Sequence, residues 1–288
     1  MTNATPMATK KDFIVLFTVD GANPNGNPCD NNQPRTDNDG YGLMTAVCCK
    51  RKIRNRAQDM GLDIFVQSED RTDDGYTSLS QRVSAELGKE KNRAAMLANA
   101  CSKWFDVRAF GQVFAFKDKQ GASASARGPV TIRLIRSVDT VPIESMQITK
   151  SCNAEDKSKS GNEDDMASDR MGMIHVVGHG LYMVCGSINA RIAERTGFSE
   201  DDAQVVKECL RTLFMNDASA ARPDGSMEVI KLYWFDHNTK DGQYPSAKVH
   251  RTVSVERADP DKAPRSIDDY VIHFDPLDGL KYEVLDGE

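Results

Sequence analysis

One stretch limits the folds open to this chain more than any other. Phe13 to Val19 (FIVLFTV) is an unbroken apolar run, the pattern of a strand covered on both faces. It leads into a loop, residues 23–40, rich in Asn, Asp, Gly and Pro, with breaks at Pro24, Gly26 and Pro28. The loop feeds a segment predicted to be helical from about Gly42 to Met60 and stopped by Gly61. Five cations fall within seven positions of that helix: Lys50, Arg51, Lys52, Arg54 and Arg56. Leu43, Ala46, Ile53, Ala57 and Met60 form one apolar stripe at helical spacing, and Lys50 and Arg54 lie on it or at its edge. A plain surface helix does not put cations inside its apolar arc. Either they meet buried acids, or a polyanion lies close by. The plainer alternative is a charged surface helix with snorkelling stems.

The formal net charge of −6 speaks against a nucleic-acid binder if taken alone. Its distribution changes that. From Glu256 to Glu288 ten acids face four bases, so residues 1–255 are neutral overall, and Tyr41 to Met60 carries +4. A local basic stripe binds phosphates even on an acidic protein. A chain of 288 residues, 39% apolar, can form one large domain or one domain with a big insertion. No stretch approaches transmembrane length, and the opening MTNATPMATKKD has no apolar leader core, so a cytoplasmic location with no membrane partner is expected. Seven cysteines, two of them adjacent (Cys48 and Cys49), match neither a zinc knuckle nor a redox pair and read as reduced thiols.

Further along, a short strand is expected at Leu62–Gln67 and helical pattern from about Ser78, with Ala94, Leu97, Ala98, Cys101 and Trp104 on one face. Val107 to Phe116 is apolar around Gly111, and Gly121 to Gly128 is small and flexible and carries Arg127. Val130, Ile132 and Leu134 alternate with Thr131, Arg133 and Ile135, a half-buried strand. In residues 139–180, Ile143–Thr149 and Met171–Val177 have strand character, while Ser151 to Asp169 is nearly devoid of apolar residues. That tip is either a disordered loop or the end of a projecting hairpin arm ordered against a partner. Leu181–Ile192 is a second buried strand; Ser199 caps the next helix, with Glu200, Asp201 and Asp202 at its positive end. Strands follow at Glu228–Phe235, Val249–Val255, Tyr270–Phe274 and Tyr282–Leu285, with Asp278-Gly279 as a hairpin turn. With the insertions set aside, the order is that of an α+β, ferredoxin-like βαββαβ unit, as in RNA-recognition domains. Its expected divisions are 1–67 (first half of the core), 68–138 (helical insertion and strand), 139–180 (arm), 181–237 (second half) and 238–288 (C-terminal strands and acidic tail).

Candidate metal groups are thin. His175 and His179 are four apart, but the intervening Val-Val-Gly favours a strand over the helix a metal pair would need. Asp30, Asp37 and Asp39 could hold a divalent ion, although turn-forming Asp is commoner. No phosphate-binding Walker loop or nucleophile elbow occurs. No cofactor and no catalytic residue is assigned.

Five segments carry a family resemblance: VDGANPNGNP (19–28), QPRTDNDGYGLMTAVCCKRKIRN (33–55), DVRAFG (106–111), RGPV with QITKS (127–130 and 147–151), and HGLYMVCGSINARIAERTGFSEDD (179–202). Together they resemble the backbone subunit of the type I-C Cascade, a CRISPR surveillance complex. The first two are the specific ones. The resemblance implies a modified RNA-recognition fold with an inserted thumb. Such subunits polymerise head to tail along a CRISPR guide RNA, beside other Cascade subunits, and leave the reading of the target DNA strand to base pairing. It implies guide contacts by Asn23, Asn25, Gly26, Arg35, Thr36, Lys50, Arg51, Lys52, Arg54, Arg108 and Arg127. It also implies thumb contacts by Lys150, Arg170, Met171 and Met173. Relatives carry basic residues just after the thumb Met-Gly, where this chain has Met173 and Ile174; that departure favours an apolar wedge. A second reading is a metal-dependent endoribonuclease, similar to type III backbone subunits that cleave target RNA with an Asp after the first strand, here Asp30. A third is an assembly protein without nucleic acid.

Overall fold

A computed structural model of the chain describes residues 5–88, 92–114, 124–149 and 171–288. The described chain begins with β1 (Lys11–Ala22), two short loop strands, β2 (Gly26–Asn27) and β3 (Gln33–Pro34), then β4 (Tyr41–Met44) and α1 (Ala46–Asp59). An insertion holds α2 (Leu79–Glu86), α3 (Arg93–Lys103) and α4 (Phe105–Phe110), and closes with β5 (Gly111–Phe114) and β6 (Ala124–Arg127). Next, β7 (Val130–Ile132), β8 (Ile135–Thr140) and β9 (Ile143–Thr149) lead to β10 (Met171–Ile188). Helices α5 (Ala190–Thr196) and α6 (Glu200–Arg211) return to β11 (Met227–Asp236). The C-terminal part contains α7 (Ser246–Val249), β12 (Val253–Arg257), β13 (Tyr270–Phe274) and β14 (Lys281–Asp286).

The architecture is α+β around one large antiparallel sheet, ordered β14-β11-β1-β10-β8-β4, with β7 and β9 also paired to β10. β1 is its axis. Every residue from Lys11 to Val19 is buried, because the two faces of the strand enter two different cores. Phe13, Val15, Phe17 and Val19 share one core with Ile53 and Ala57 of α1 and with Ala193, Val206 and Leu210 of α5 and α6. Ile14 and Leu16 point the other way, toward Leu181, Tyr233, Phe235, Val249 and Val253, with Ile272 and Phe274 packed behind. The β12–β13 ribbon thus covers the face that the helices leave bare. Stacked rings fix the register: Phe17 on Tyr182 at 5.2 Å and Phe13 beside Trp234 at 6.0 Å. The insertion has a small core of its own, where Phe65 meets Trp104 at 4.7 Å and Phe114 at 5.4 Å.

The expected capping of α6 is present as a full box. The Ser199 hydroxyl accepts from the Asp202 N–H at 3.1 Å and the Asp202 carboxylate accepts from the Ser199 N–H at 2.9 Å. Other expectations need correction. The first helix begins at Ala46 rather than Gly42, capped by Thr45. Residues 41–44 are instead a strand, held by β8 and by the Gly42 N–H, which donates to Ser137 Oγ at 2.8 Å. Leu62–Gln67 is not a strand, because the Phe65 and Val66 N–H groups donate to the Asp106 carboxylate at 2.7 and 3.1 Å instead of to a neighbouring strand. The strand expected to reach Ile192 stops at Ile188, where Asn189 caps α5. Residues 249–252 belong to α7 and its exit, not to a strand. Asp278-Gly279 does turn the chain, with Gly279 at φ +65°. It joins no hairpin, since β13 pairs with β12 and β14 with β11.

The two strand-like flanks of the 139–180 region pair with each other, from Val177 opposite Ile143 to Met171 opposite Thr149. The base of an antiparallel arm is therefore present, with β9 exposed along nearly its whole length. Its polar tip, with Lys150 and Arg170, lies outside the described residues.

The Gly42 site is a test of this packing. A Cβ there would stand 2.0 Å from the Tyr182 hydroxyl, and Tyr182 is fully buried against Phe17. Gly42→Ala is expected to destabilise the fold by roughly 1–3 kcal/mol, the usual cost of overpacking. Urea unfolding measures it, and an unchanged midpoint would show that the ring can withdraw.

Candidate nucleic-acid interface

Where β1 ends, its loop folds back on itself. Asn23 is buried; its Nδ2 donates to Asn32 O at 2.7 Å, while its Oδ1 has no partner. Asn25 Oδ1 accepts from the Thr45 N–H at 2.9 Å, tying the loop to the start of α1. Asn31 and Asn32 take left-handed backbone at φ 45° and 57°, a conformation Asn tolerates better than most residues. At Gly26 a Cβ would sit 2.0 Å from Asn32 Oδ1, so the exposed Asn32 side chain closes directly over the glycine. The result is a tight β2–β3 ribbon that opens a groove of about 270 Å³, lined by Asn27, Asp30, Gln33, Arg35, Thr36 and Thr45, with Leu134 and Ile143 at the base of the arm.

Arg35 is the cation of this groove. Its backbone is fixed on both sides, by Asn25 O at 3.2 Å and by the Leu43 N–H at 2.7 Å. Its Nε is buried without a partner, and among the described residues the guanidinium makes no ion pair, although Asp30 lines the same groove. A buried donor left unmatched costs about 1–3 kcal/mol, so such a group is poised for an acceptor. Thr36, beside it, bridges to Gly42. At the outer edge Arg136 lies flat on the Tyr41 ring at 3.7 Å and donates to Asp37 at 2.8 Å. Sequence reasoning missed Arg136; its alternation with the apolar residues of β8 was the available sign.

The basic helix meets buried acids, the first of the two options its pattern left open. Lys52 is 3% exposed, ion-paired to Asp217 and seated over the Phe214 ring. Arg54 donates to Asp106 at 2.8 Å and lies over Phe110. Arg51 donates to Val66 O at 2.6 Å and Arg56 to Thr212 Oγ1 at 2.8 Å. Lys50 alone of the five cations on this helix reaches neither acid nor acceptor among the described residues; its ammonium sits 5.1 Å from the Phe110 ring centre. Burial, and then the neighbouring Arg54, push its pKa below the ordinary lysine value. In this structure Lys52 and Arg54, expected as phosphate contacts, are thus held by acids of the chain itself. Arg108 is likewise engaged within the chain: its guanidinium grips Asp202, the box partner of the Ser199 cap of α6, at 2.8 and 3.0 Å. Arg127 is exposed and has no ion pair among the described residues, but it lines a separate cleft of about 980 Å³ with Arg195, away from the Arg35 groove.

On the arm, Met173 is 55% exposed, as are Met146 and Ile148 at about half. Met173 faces Gln147, and Met171 pairs with Thr149 at the last described step. His175 is matched to Ser145 at 2.8 Å, whereas His179 is buried against Tyr270 with both ring nitrogens unmatched. Asp37 is committed to Arg136 and to its own turn. Among the described residues no group of three His, Cys, Asp or Glu side chains could hold a metal ion.

The ion pair under α1 gives an asymmetric expectation. Asp217 also holds Arg222 at 3.2 Å, so Lys52→Met leaves the acid with a partner and should cost less than about 1 kcal/mol. Asp217→Ala strands a buried ammonium and should cost roughly 3–5 kcal/mol. Urea unfolding of the two variants checks it; equal losses would mean that the pair is solvated.

Residues 9–275 match the model of the family described as CRISPR-associated protein Cas7. A protein of Haloferax volcanii with the same description is 26% identical over 217 residues, 68% of this chain and 61% of the relative, so the chain spans about three-fifths of that relative's length. Two solved structures are also similar. One, titled a CRISPR RNA-guided surveillance complex in a pre-nicking state, has a TM-score of 0.44 at 14% identity, covering 79% of this chain and 78% of the other. The second, titled a CRISPR RNA-guided surveillance complex, has a TM-score of 0.41 at 17% identity, covering 79% and 69%.

Proposed function

The chain belongs to the Cas7 family of CRISPR-associated proteins, and from that premise we propose that it is a guide-RNA-binding backbone subunit of a Cascade-like complex of the type I-C kind. Copies would follow one another head to tail along a CRISPR guide, with other Cascade subunits at the ends, and present the guide for pairing with a target DNA strand. A head-to-tail contact that does not close generates such an open filament. Its work is holding and presenting RNA rather than cutting it. No cofactor is invoked.

We read the body as a ferredoxin-like βαββαβ core. The strand order β11-β1-β10-β8, with α1 between the first and second core strands and α5 and α6 between the third and fourth, supports that reading. Because β12 and β13 cover the second face of the sheet, RNA would lie on the loops at the end of β1 and not on the sheet itself. The observation that carries the proposal is Arg35: a guanidinium with no ion pair among the described residues, its Nε buried and unmatched, in a groove walled by the loop ribbon, Asp30 and the arm base. Asn23, Asn25 and Gly26 shape that groove, Thr36 offers a hydroxyl, and Lys50 and Arg51 stand at the helix beyond. The arm would serve as a thumb, with Met171 and Met173 wedged beside a displaced base, as apolar side chains do in other nucleic-acid binders.

Arg35→Ala is expected to weaken binding of single-stranded RNA and to lower the slope of log K against log salt by about 0.7, the value for one single-strand phosphate. Lys52→Met should leave the slope unchanged. Fluorescence anisotropy over a salt series measures both, and a slope that Arg35→Ala does not alter in a folded protein would sink the assignment. In the same samples RNA should keep its length when magnesium is added; cutting that Asp30→Ala abolishes would establish the endoribonuclease reading instead.

Replacing residues 151–169 by a short Gly/Ser linker should leave the body folded, since its strands and helices lie outside them. It should impair assembly on a guide. Circular dichroism and sizing of the reconstituted particle test this, and normal assembly of the deletion variant would remove the thumb from the proposal.

A further inference from the structure

A second cationic cleft lies at the opposite end of β1. Lys11 pairs with Ile188 and Ala22 with Val177, so the Gly186 end of β10 points away from the Arg35 groove. Nine residue steps along the strand separate Gly186 from Val177, roughly 30 Å at about 3.3 Å per residue. The cleft, about 490 Å³, lies between β7, the end of β10 and α7. Its floor is bare backbone at Gly186. A Cβ there would stand 2.2 Å from the Phe13 ring and 2.6 Å from Thr131 O, so glycine alone lets β7 close against β10.

The rim has a one-sided chemistry. Arg133 follows β7 and Arg251 follows α7; both are exposed, and neither side chain has a hydrogen bond or ion pair among the described residues. Thr131 and Ser187 hydroxyls sit beside them, 2.9 Å apart, and Ser246 adds a third. His250 donates to Gly186 O at 3.0 Å and so leaves Nδ1 as its remaining ring atom. No Asp or Glu lines this cleft, whereas the three other cavities described each contain at least one. The carboxylate of Asp12 lies beneath, fully buried; its Oδ2 is engaged by His237 at 2.8 Å and Lys10 at 3.1 Å, while its Oδ1, without a hydrogen-bond partner, stands 3.8 Å from His250 Nε2. Most other cations among the described residues have an ion pair or hydrogen bond; here two guanidiniums without one stand beside hydroxyls that bond only to each other and to the backbone. Guanidinium forks with hydroxyl donors are the chemistry that recognises phosphate oxygens.

We propose that this cleft is a second phosphate-binding site, built for the phosphodiester backbone of a nucleic-acid strand passing the end of the sheet away from the loop groove. The site goes beyond the guide-binding reading and does not depend on Arg35. The shared chemistry would also admit a free phosphate group, and the test separates the two sources.

The test uses the full chain and the double variant Arg133→Gln, Arg251→Gln. Both side chains are exposed, so the variant should fold, which circular dichroism verifies. A labelled single-stranded oligonucleotide is titrated over a salt series, and inorganic phosphate is titrated against thermal unfolding. The expected result is a fall of about 1.4 in the salt slope, two phosphate contacts at about 0.7 each. Arg35→Ala should remove its own increment additively. A phosphate-dependent rise in melting temperature that the double variant lacks, with no change in slope, keeps the site and assigns it to a small phosphate. If neither slope nor phosphate response differs between wild type and the double variant, the site is overturned. Loss of the Arg35 effect with retention of the Arg133/Arg251 effect would fault the guide groove alone.

Discussion

Everything in this molecule follows from a strand that has no free side. β1 is hydrogen-bonded to β10 and β11 along both edges and buried against separate cores on both faces. An RNA-recognition sheet ordinarily keeps one face open for stacked bases. Here Ile14 and Leu16 hand that face to the β12–β13 ribbon, so polar chemistry is displaced to the strand's two ends. The Asn23–Thr36 loop gathers at one end and the Thr131–Arg251 cleft at the other.

The charge on α1 follows the same economy. A run of five cations would ordinarily signal a phosphate track. Desolvation decides otherwise for those that point inward, since an unpaired buried charge costs several kcal/mol. Asp217 and Asp106 meet Lys52 and Arg54, and Asp106 also organises the Phe65–Val66 backbone. Arg54 therefore ties the helix to the insertion, and Lys52 ties it to the segment that follows α6. The surplus that could face a ligand is small and local: Lys50 on the helix and Arg35 in the loop.

Local chemistry explains which features the sequence made legible. The FIVLFTV run announces two-sided burial, and Ser199 followed by Asp202 announces a cap, because each is settled by neighbours within a few residues. The Asn-Gly-Pro loop with Arg35 was readable for the same reason, as were the flanks of the arm. Residues 41–44 were not, since a short apolar pattern fits helix or strand, and the deciding contacts come from Ser137 and Tyr182. Nor was the fate of Lys52, whose acid is 165 residues away. Sequence could pose the choice between buried acid and polyanion, but only the folded chain brings Asp217 to the helix. Arg133 and Arg251 were legible only as isolated surface cations, since their meeting depends on β7 closing over Gly186.

β10 has a mechanical consequence. It is one strand from Met171 to Ile188, and it serves as both the inner edge of the arm and a central member of the sheet. A projection mounted on a loop swings about its hinge; one that continues a core strand behaves as a cantilever. At its waist, Gly178 and Gly180, the neighbouring Glu144 and Val141 side chains lie over the bare backbone, within 2.7 Å of where a Cβ would stand. Load applied to the arm would pass as shear into the ladder between β10 and β1, where many hydrogen bonds bear it together. Displacement of the arm and strain at the centre of the sheet are thus a single deformation.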